Sequence, residues 1–152
     1  MALARERGDW LDTSCLLVFL GHAALSIEDA IRARKLHQES LAIGRGKDYL
    51  HCIALAELAV IARDCGDSHA YAVLAAAAEG QAAAHPQDFL RVYNLCSTFD
   101  GILAEARARL DDPALATAFA EGRAMTWEQA LAYALADERR DSPTAPPIHA
   151  RS

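Results

Sequence analysis

The chain has 152 residues, a formal net charge of −6 and few aromatic residues, which make up 7% of its composition. This length is typical of a single domain, and the excess of alanine and leucine over valine and isoleucine favours an all-α fold. The sequence contains no signal-peptide pattern, no apolar run of about 18 residues and no basic block, so it does not indicate secretion, membrane insertion or direct nucleic-acid contact.

The first two predicted elements form a helical hairpin. Residues 11–25 contain the run CLLVFLGHAAL, in which only His22 is clearly polar, whereas residues 26–46 have the apolar spacing of an amphipathic helix. A helix that is apolar on nearly every side has to be covered on more than one side. The sequence therefore predicts that the first helix packs against more than its own hairpin partner.

The same pair of elements recurs later in the chain. Residues 52–62 read CIALAELAVIA, apolar except for Glu57, and residues 63–85 supply the next turn and a second outer helix. A shift of 38 residues superimposes Leu17 on Leu55, Leu20 on Leu58, Gly21 on Ala59, Asp29 on Asp67 and Leu36 on Leu74. An internal repeat of this length is typical of helical solenoids.

Three further helices are predicted in the second half. Apolar spacing indicates a helix over residues 88–110, and Pro113 starts a short helix that closes near Gly122. Thr126 and Gln129 have the spacing of a capping box, so a last helix is expected to end at about Ala136. The following segment is rich in proline and has little to bury, so the expected organisation is a domain over 1–138 and a disordered tail over 139–152.

The repeat resembles the tetratricopeptide repeat. That family has a small residue on its first helix and further small residues 12 and then 7 positions later, as Gly21, Ala33 and Ser40 are spaced here. The second copy departs from the pattern with Tyr71, and the period exceeds the usual length of about 34 residues. The resemblance implies antiparallel hairpins stacked as a short solenoid of about six or seven helices. A generic alanine-rich bundle is the alternative.

The closing segment carries a second resemblance. Residues 115–135, LATAFAEGRAMTWEQALAYAL, resemble the end of the helical-repeat region of large bacterial LuxR-type (MalT-like) ATPase transcriptional regulators and multidomain adenylate cyclases. With the two repeats, the resemblance covers about residues 1–138. It implies a cytoplasmic, non-catalytic region that senses an inducer or docks a partner protein in signal transduction.

Catalytic and metal-binding patterns are weak in this sequence. The segment GRGKD lacks the first glycine and the hydroxyl residue of a phosphate loop, and the four cysteines have no two-residue spacing. His22 and His51, with Cys15 and Cys52 nearby, could suggest a metal site, but core or groove histidines are the favoured interpretation. We therefore predict no enzyme activity, no cofactor, no metal and reduced thiols.

Two acidic pairs have a simpler explanation than catalysis. Glu28–Asp29 and Asp111–Asp112 lie beside predicted helix starts. Negative charge at a helix N-terminus is stabilising because it offsets the helix dipole. We interpret both pairs as helix-capping features.

The tetratricopeptide register implies a concave binding strip on the first helix of each hairpin. The implied residues are Cys15, Val18, His22, Ile53, Ala56, Val60 and Arg63. Such an apolar strip suits a helical or apolar segment of a partner protein. A small-molecule inducer held against the inner helices is the alternative, and a third reading has the 88–110 helix covering the strip.

The N-terminal ten residues resemble the end of the second predicted helix. Leu3 and Ala4 match Leu41 and Ala42, and the Arg-Gly pair at 7–8 matches that at 45–46. The match predicts that the chain is the C-terminal piece of a longer repeat protein. We therefore expect the first hairpin to expose an apolar face, which favours self-association or docking against upstream repeats.

Overall fold

The computed structural model describes residues 10–44, 50–83 and 96–136, and this part of the chain is all-α. It contains seven helices and no strand: α1 (Trp10–Ser26), α2 (Ala30–Gly44), α3 (Leu50–Asp64), α4 (Ser68–Ala82), α5 (Cys96–Ala108), α6 (Pro113–Arg123) and α7 (Trp127–Ala136). The predicted all-α class is confirmed. The N-terminal match at residues 3–8, residues 88–95 of the predicted 88–110 helix and the expected tail over 139–152 lie outside the described residues.

The turns of the first two hairpins share one backbone conformation. Glu28 and Gly66, 38 residues apart, both adopt the left-handed region, with φ of 61° and 84°. In each turn the next residue, Asp29 or Asp67, accepts a hydrogen bond from the backbone N–H three residues later, at 3.1 and 2.9 Å. Each aspartate N–H also donates to the carbonyl five residues back, at 2.9 Å in both turns. The two hairpins therefore share their turn geometry as well as their sequence spacing.

The hairpins pack in chain order. α1 packs along α2, α3 packs along α4, and α3 also lies against both helices of the first hairpin. α5 rests on α3 and α4, α6 packs mainly against α4, and α7 lies on α2 and α4. The inner helix α3 is consequently covered on several sides, and its residues from Leu50 to Ala59 are all buried.

The close approach of α6 to α4 depends on Gly122. A Cβ atom at this position would lie 2.9 Å from the Cβ of Ala76, which is closer than real Cβ contacts. The small residues that dominate α4 allow the same close packing along its length, and Ala75 to Ala78 are all buried. Small side chains therefore set the distance between these two helices.

The helix starts in the second half follow the predicted capping pattern. Asp112 accepts a hydrogen bond from the backbone N–H of Ala114 at 2.9 Å, with Pro113 in the first turn of α6. Thr126 and Gln129 form the reciprocal capping box, with distances of 2.9 and 3.2 Å. These contacts confirm the predicted capping box and show Asp112, one member of the second acidic pair, as the N-cap of α6.

None of the helices within the described ranges combines the length and hydrophobicity that a membrane-spanning helix needs.

Candidate functional site

A buried carboxylate joins the first three helices. Glu57, the polar residue within the apolar run of α3, has a side chain that is only 1% exposed. Its Oε2 accepts a hydrogen bond from Nε2 of His37 on α2 at 2.7 Å, and its Oε1 accepts one from Nδ1 of His22 on α1. Because an unpaired buried carboxylate is strongly destabilising, this pairing fixes how α3 sits against the first hairpin.

The charge of Glu57 follows from a competition between burial and hydrogen bonding. Burial raises the pKa of this carboxyl group, but the hydrogen bonds and charge of His37 and His22 outweigh burial and hold the pKa below its ordinary value of 4.5. Glu57 is therefore ionised at neutral pH and accepts an N–H from each imidazole. The ring nitrogen of His22 that Glu57 does not engage is Nε2.

Gly21 makes room for one of these imidazoles. A Cβ atom at Gly21 would lie 2.6 Å from Cε1 of His37, so any larger residue would displace the ring. The sequence pattern predicted a small residue here for a close helix crossing. The structure shows that the space beside Gly21 is filled by His37, the side chain that pairs with Glu57.

A second buried network lies at the other end of the same interface. Ser14 on α1 and Ser40 on α2 exchange hydrogen bonds, each hydroxyl donating to the other's carbonyl oxygen at 3.1 and 2.8 Å. The Ser14 hydroxyl also contacts Nε2 of His51 on α3. A Cβ at Gly44 would overlap the His51 ring, so a second glycine accommodates a second histidine.

The two histidines singled out in the sequence thus belong to separate networks. His22 pairs with Glu57 and is partly exposed, whereas His51 is fully buried with Ser14. In residues 10–44, 50–83 and 96–136, no three His, Cys, Asp or Glu side chains are grouped so that they could hold a metal ion. Cys15, Cys52 and Cys65 are not joined in disulfide bonds.

A groove of about 340 Å³ opens beside the Glu57 network, between the C-terminal halves of α1 and α3 and the facing side of α5. Its wall is partly polar and partly apolar. The lining residues are His22, Leu25, Ser26, Glu57, Val60, Arg63, Thr98, Gly101, Ile102 and Glu105. The volume is at the low end of the range of roughly 300–1,000 Å³ that is typical of small-molecule sites.

The charged side chains of the groove are already engaged with one another. Arg63 donates to Asp64 at 2.9 Å and to Glu105 at 2.5 Å, and Glu105 accepts a second bond from Arg109 at 3.1 Å. Both guanidinium groups also lie over the ring of Tyr71, at 5.9 and 5.1 Å from its centroid. Tyr71, the departure from the tetratricopeptide pattern, therefore supports the arginines beside the groove.

The residues of the implied concave strip fall into two groups. Val18 on α1 and Ile53 and Ala56 on α3 are buried in the core. The other four lie nearer the surface: His22, Val60 and Arg63 line the groove, and Cys15 is partly buried beside the core. The strip is therefore not continuous, and Arg63 at its C-terminal end donates to Glu105 on α5.

The first hairpin carries a separate apolar surface, which we call the α1 face. Its members are the large apolar side chains that stand exposed in the described part of the chain: Leu16 (43%), Leu20 (41%), Ile27 (74%) and Ile31 (74%). Leu16 and Leu20 are one helical turn apart on α1, and Ile27 and Ile31 flank the turn that follows. The sequence predicted an exposed apolar face on this hairpin, and the structure shows which residues form it.

The polar networks were not predicted from the sequence. Glu57 stood out as the exception within an apolar run, but its partners lie 35 and 20 residues earlier, on two different helices. The one available signal was the coincidence of a glutamate and two histidines on helices that the repeat brings together. Thr98 and Glu105 on α5 were not identified as site residues either.

Comparison of the chain with known protein families, curated proteins and solved structures gives no match.

Proposed function

We propose that the chain is a non-catalytic protein-interaction and signal-sensing module whose docking surface is the α1 face. The observation that carries this proposal is the exposure of Leu16 and Leu20 at positions whose repeat equivalents are buried. The Ser14–His51 pair has the residue types of a nucleophile and a base, but it is fully buried and closed to substrate. That burial supports a non-catalytic role.

The internal repeat indicates what the α1 face is built to contact. A shift of 38 residues places Leu16 on Ala54 and Leu20 on Leu58. Ala54 and Leu58 are buried on α3. By helical spacing they share a face of α3 with His51, which contacts Ser14 of the first hairpin. The face of α3 that packs against the first hairpin therefore has an equivalent face on α1, and on α1 this face is exposed.

The occupant that fits this counterpart is a helical hairpin. Within the chain, both helices of the first hairpin pack against α3. A second hairpin of the same type could pack against α1 in the equivalent way. Stacked repeats bury their apolar faces in this way, each unit covering the next. A helical hairpin of a partner protein is therefore the proposed ligand of the α1 face.

The resemblance of residues 115–135 to LuxR-type regulators and multidomain adenylate cyclases agrees with such a role. In those proteins the helical-repeat region senses an inducer or docks a partner protein. A cytoplasmic transcriptional regulator is the setting we propose, and the capping contacts at Asp112 and Thr126 support the secondary structure on which that resemblance depends.

The α1 face can be tested on the isolated chain. Light scattering at several concentrations and binding of a hydrophobic dye are compared for the wild type and for Leu16→Glu/Leu20→Glu. We expect the wild type to bind dye and to associate as its concentration rises, and the variant to do neither, because an exposed apolar patch drives both effects.

The matched control places two glutamates on another exposed surface, Ala104→Glu/Ala108→Glu on α5. This variant should behave like the wild type. A wild-type chain that stays monomeric at every concentration and binds no dye contradicts the proposal.

The groove favours a second function, small-molecule sensing against the inner helices. His22, Val60 and Arg63 of the implied strip line it, together with residues of α5. A ligand there would contact α1, α3 and α5 at once and so would alter how the first hairpin and α5 are held together. A thermal-shift screen of metabolites against the wild type tests this function, which predicts a rise in melting temperature for at least one class of compound.

A further inference from the structure

The second proposed function leaves the chemical class of the ligand open, and the lining of the groove narrows it. Resting on that function, we infer that the groove binds a small uncharged alcohol, a hydroxyl group joined to a short apolar chain. Three features of the groove support this class of ligand: the pairing of its charged groups, the second ring nitrogen of His22 and the apolar part of its wall.

The charged groups of the groove are matched with one another. Arg63 donates to both Asp64 and Glu105, and the other carboxylate oxygen of Glu105 accepts from Arg109 at 3.1 Å. Both carboxylate oxygens of Glu57 accept from imidazole nitrogens. An entering cation or anion would therefore lose part of its hydration without gaining a new ion pair, whereas an uncharged ligand does not pay this desolvation cost.

His22 gives the groove a hydrogen-bonding atom that suits a hydroxyl group. Its side chain lines the groove and is 34% exposed, and because Nδ1 contacts Glu57, Nε2 is the ring nitrogen left for a ligand. Nε2 accepts a hydrogen bond when the imidazole is neutral and donates one when the imidazole is protonated. A hydroxyl group both donates and accepts, so it pairs with Nε2 in either state. An ammonium group only donates and a carboxylate only accepts, so each of these ions fits one state alone.

Part of the wall is apolar and suits a short alkyl chain. Leu25 on α1, Val60 on α3 and Ile102 on α5 line the groove from three helices. Gly101 has no neighbouring atom within 4 Å of where its Cβ would stand, so this side of α5 leaves space for a chain. An alcohol can therefore pack its chain against these three side chains while its hydroxyl group pairs with His22.

The experiment titrates the full chain with three probes of equal chain length, hexan-1-ol, n-hexylammonium and hexanoate, and follows backbone amide shifts by NMR. The titrations are repeated on Leu16→Glu/Leu20→Glu, which removes binding to the α1 face. In both proteins we expect hexan-1-ol to shift residues 22–26, 57–63 and 98–105. It should bind about fivefold more tightly than either ion, because the ions lose hydration without gaining a partner.

A substitution that fills the groove tests where the alcohol binds. Gly101→Leu adds a side chain to the groove wall at a position with no neighbouring atom within 4 Å, so the protein stays folded. It should weaken hexan-1-ol binding about tenfold, because the new side chain occupies the space of the ligand. Ala120→Leu, at an exposed position on α6 outside the groove, is the matched control and should alter binding less than about twofold.

Three other results overturn the inference in different ways. Binding of hexylammonium or hexanoate as tight as that of hexan-1-ol rejects the uncharged class but leaves small-molecule sensing in place. Binding of hexan-1-ol that Gly101→Leu does not weaken places the alcohol outside the groove. If hexan-1-ol does not bind, the inference fails, and if the thermal-shift screen also finds no ligand, the second function fails with it.

Discussion

Gly21 leaves the space that the His37 ring occupies, so a larger side chain at this position would collide with the imidazole. We predict that Gly21→Leu lowers the free energy of unfolding by about 1–3 kcal/mol or more, since overpacking forces either the helices or the imidazole to move. Urea unfolding followed by circular dichroism measures the change.

Gly101→Ala is the control for this substitution. Gly101 also lies within a helix, but a Cβ there meets nothing within 4 Å. The alanine variant should be more stable by about 0.5–1 kcal/mol, because glycine is a poor helix former. Unchanged stability of the Gly21→Leu protein contradicts the packing described for α1 and α2.

Glu57 gives the chain a defined response to acid. Its pKa is lowered in the folded protein, so its contribution to stability is present above the unfolded-state pKa and is lost as the pH falls through the folded-state pKa. We predict that Glu57→Gln lowers the free energy of unfolding by about 1–3 kcal/mol at neutral pH, because His22 and His37 lose a charged acceptor.

The difference between wild type and Glu57→Gln should also depend on pH. It should be largest above about pH 4.5, where unfolded Glu57 is ionised, and shrink as the pH is lowered further. Unfolding curves of both proteins across this range measure it. A difference that stays constant with pH would show that Glu57 contributes through its shape alone.

At the scale of the elements, the paired turns suggest a direct test of the repeat. Glu28 occupies the left-handed conformation that Gly66 occupies in the second hairpin, and its side chain is exposed. Glu28→Gly should therefore stabilise the chain by about 1 kcal/mol, and Gly66→Ala should destabilise it by a similar amount. Thermal unfolding of both variants reports the two opposite shifts. A loss of stability in Glu28→Gly would mean that the Glu28 side chain makes a stabilising contribution that its exposed position does not indicate.

Element boundaries were predictable where local chemistry decides them. The capping box at Thr126 and the proline at 113 specified the starts of α7 and α6, since both signals act within one turn. The contacts of Gly21 were not predictable in the same way. A spacing rule identifies a small residue, but only the relative placement of α1 and α2 shows that it faces an imidazole.

For the whole molecule, the alternation of nearly apolar and amphipathic segments predicted the hairpins and their order. The sequence also predicted that the first hairpin exposes an apolar face, because α1 is apolar on more sides than α2 and α3 cover. The groove could not be predicted from the sequence. It forms where α5 lies beside the C-terminal ends of α1 and α3, where Glu105 contacts Arg63. Contacts between such distant segments leave no periodic pattern.

The central proposal is that the α1 face docks a helical hairpin. The most direct test is to supply one, in a chain with a copy of residues 48–85 placed immediately before Trp10, which preserves the 38-residue spacing. We predict a single cooperative unfolding transition at a higher temperature than the wild type, together with loss of dye binding. Both effects should disappear when Leu16→Glu/Leu20→Glu is added. Two separate transitions, with the original one unmoved, would contradict the claim.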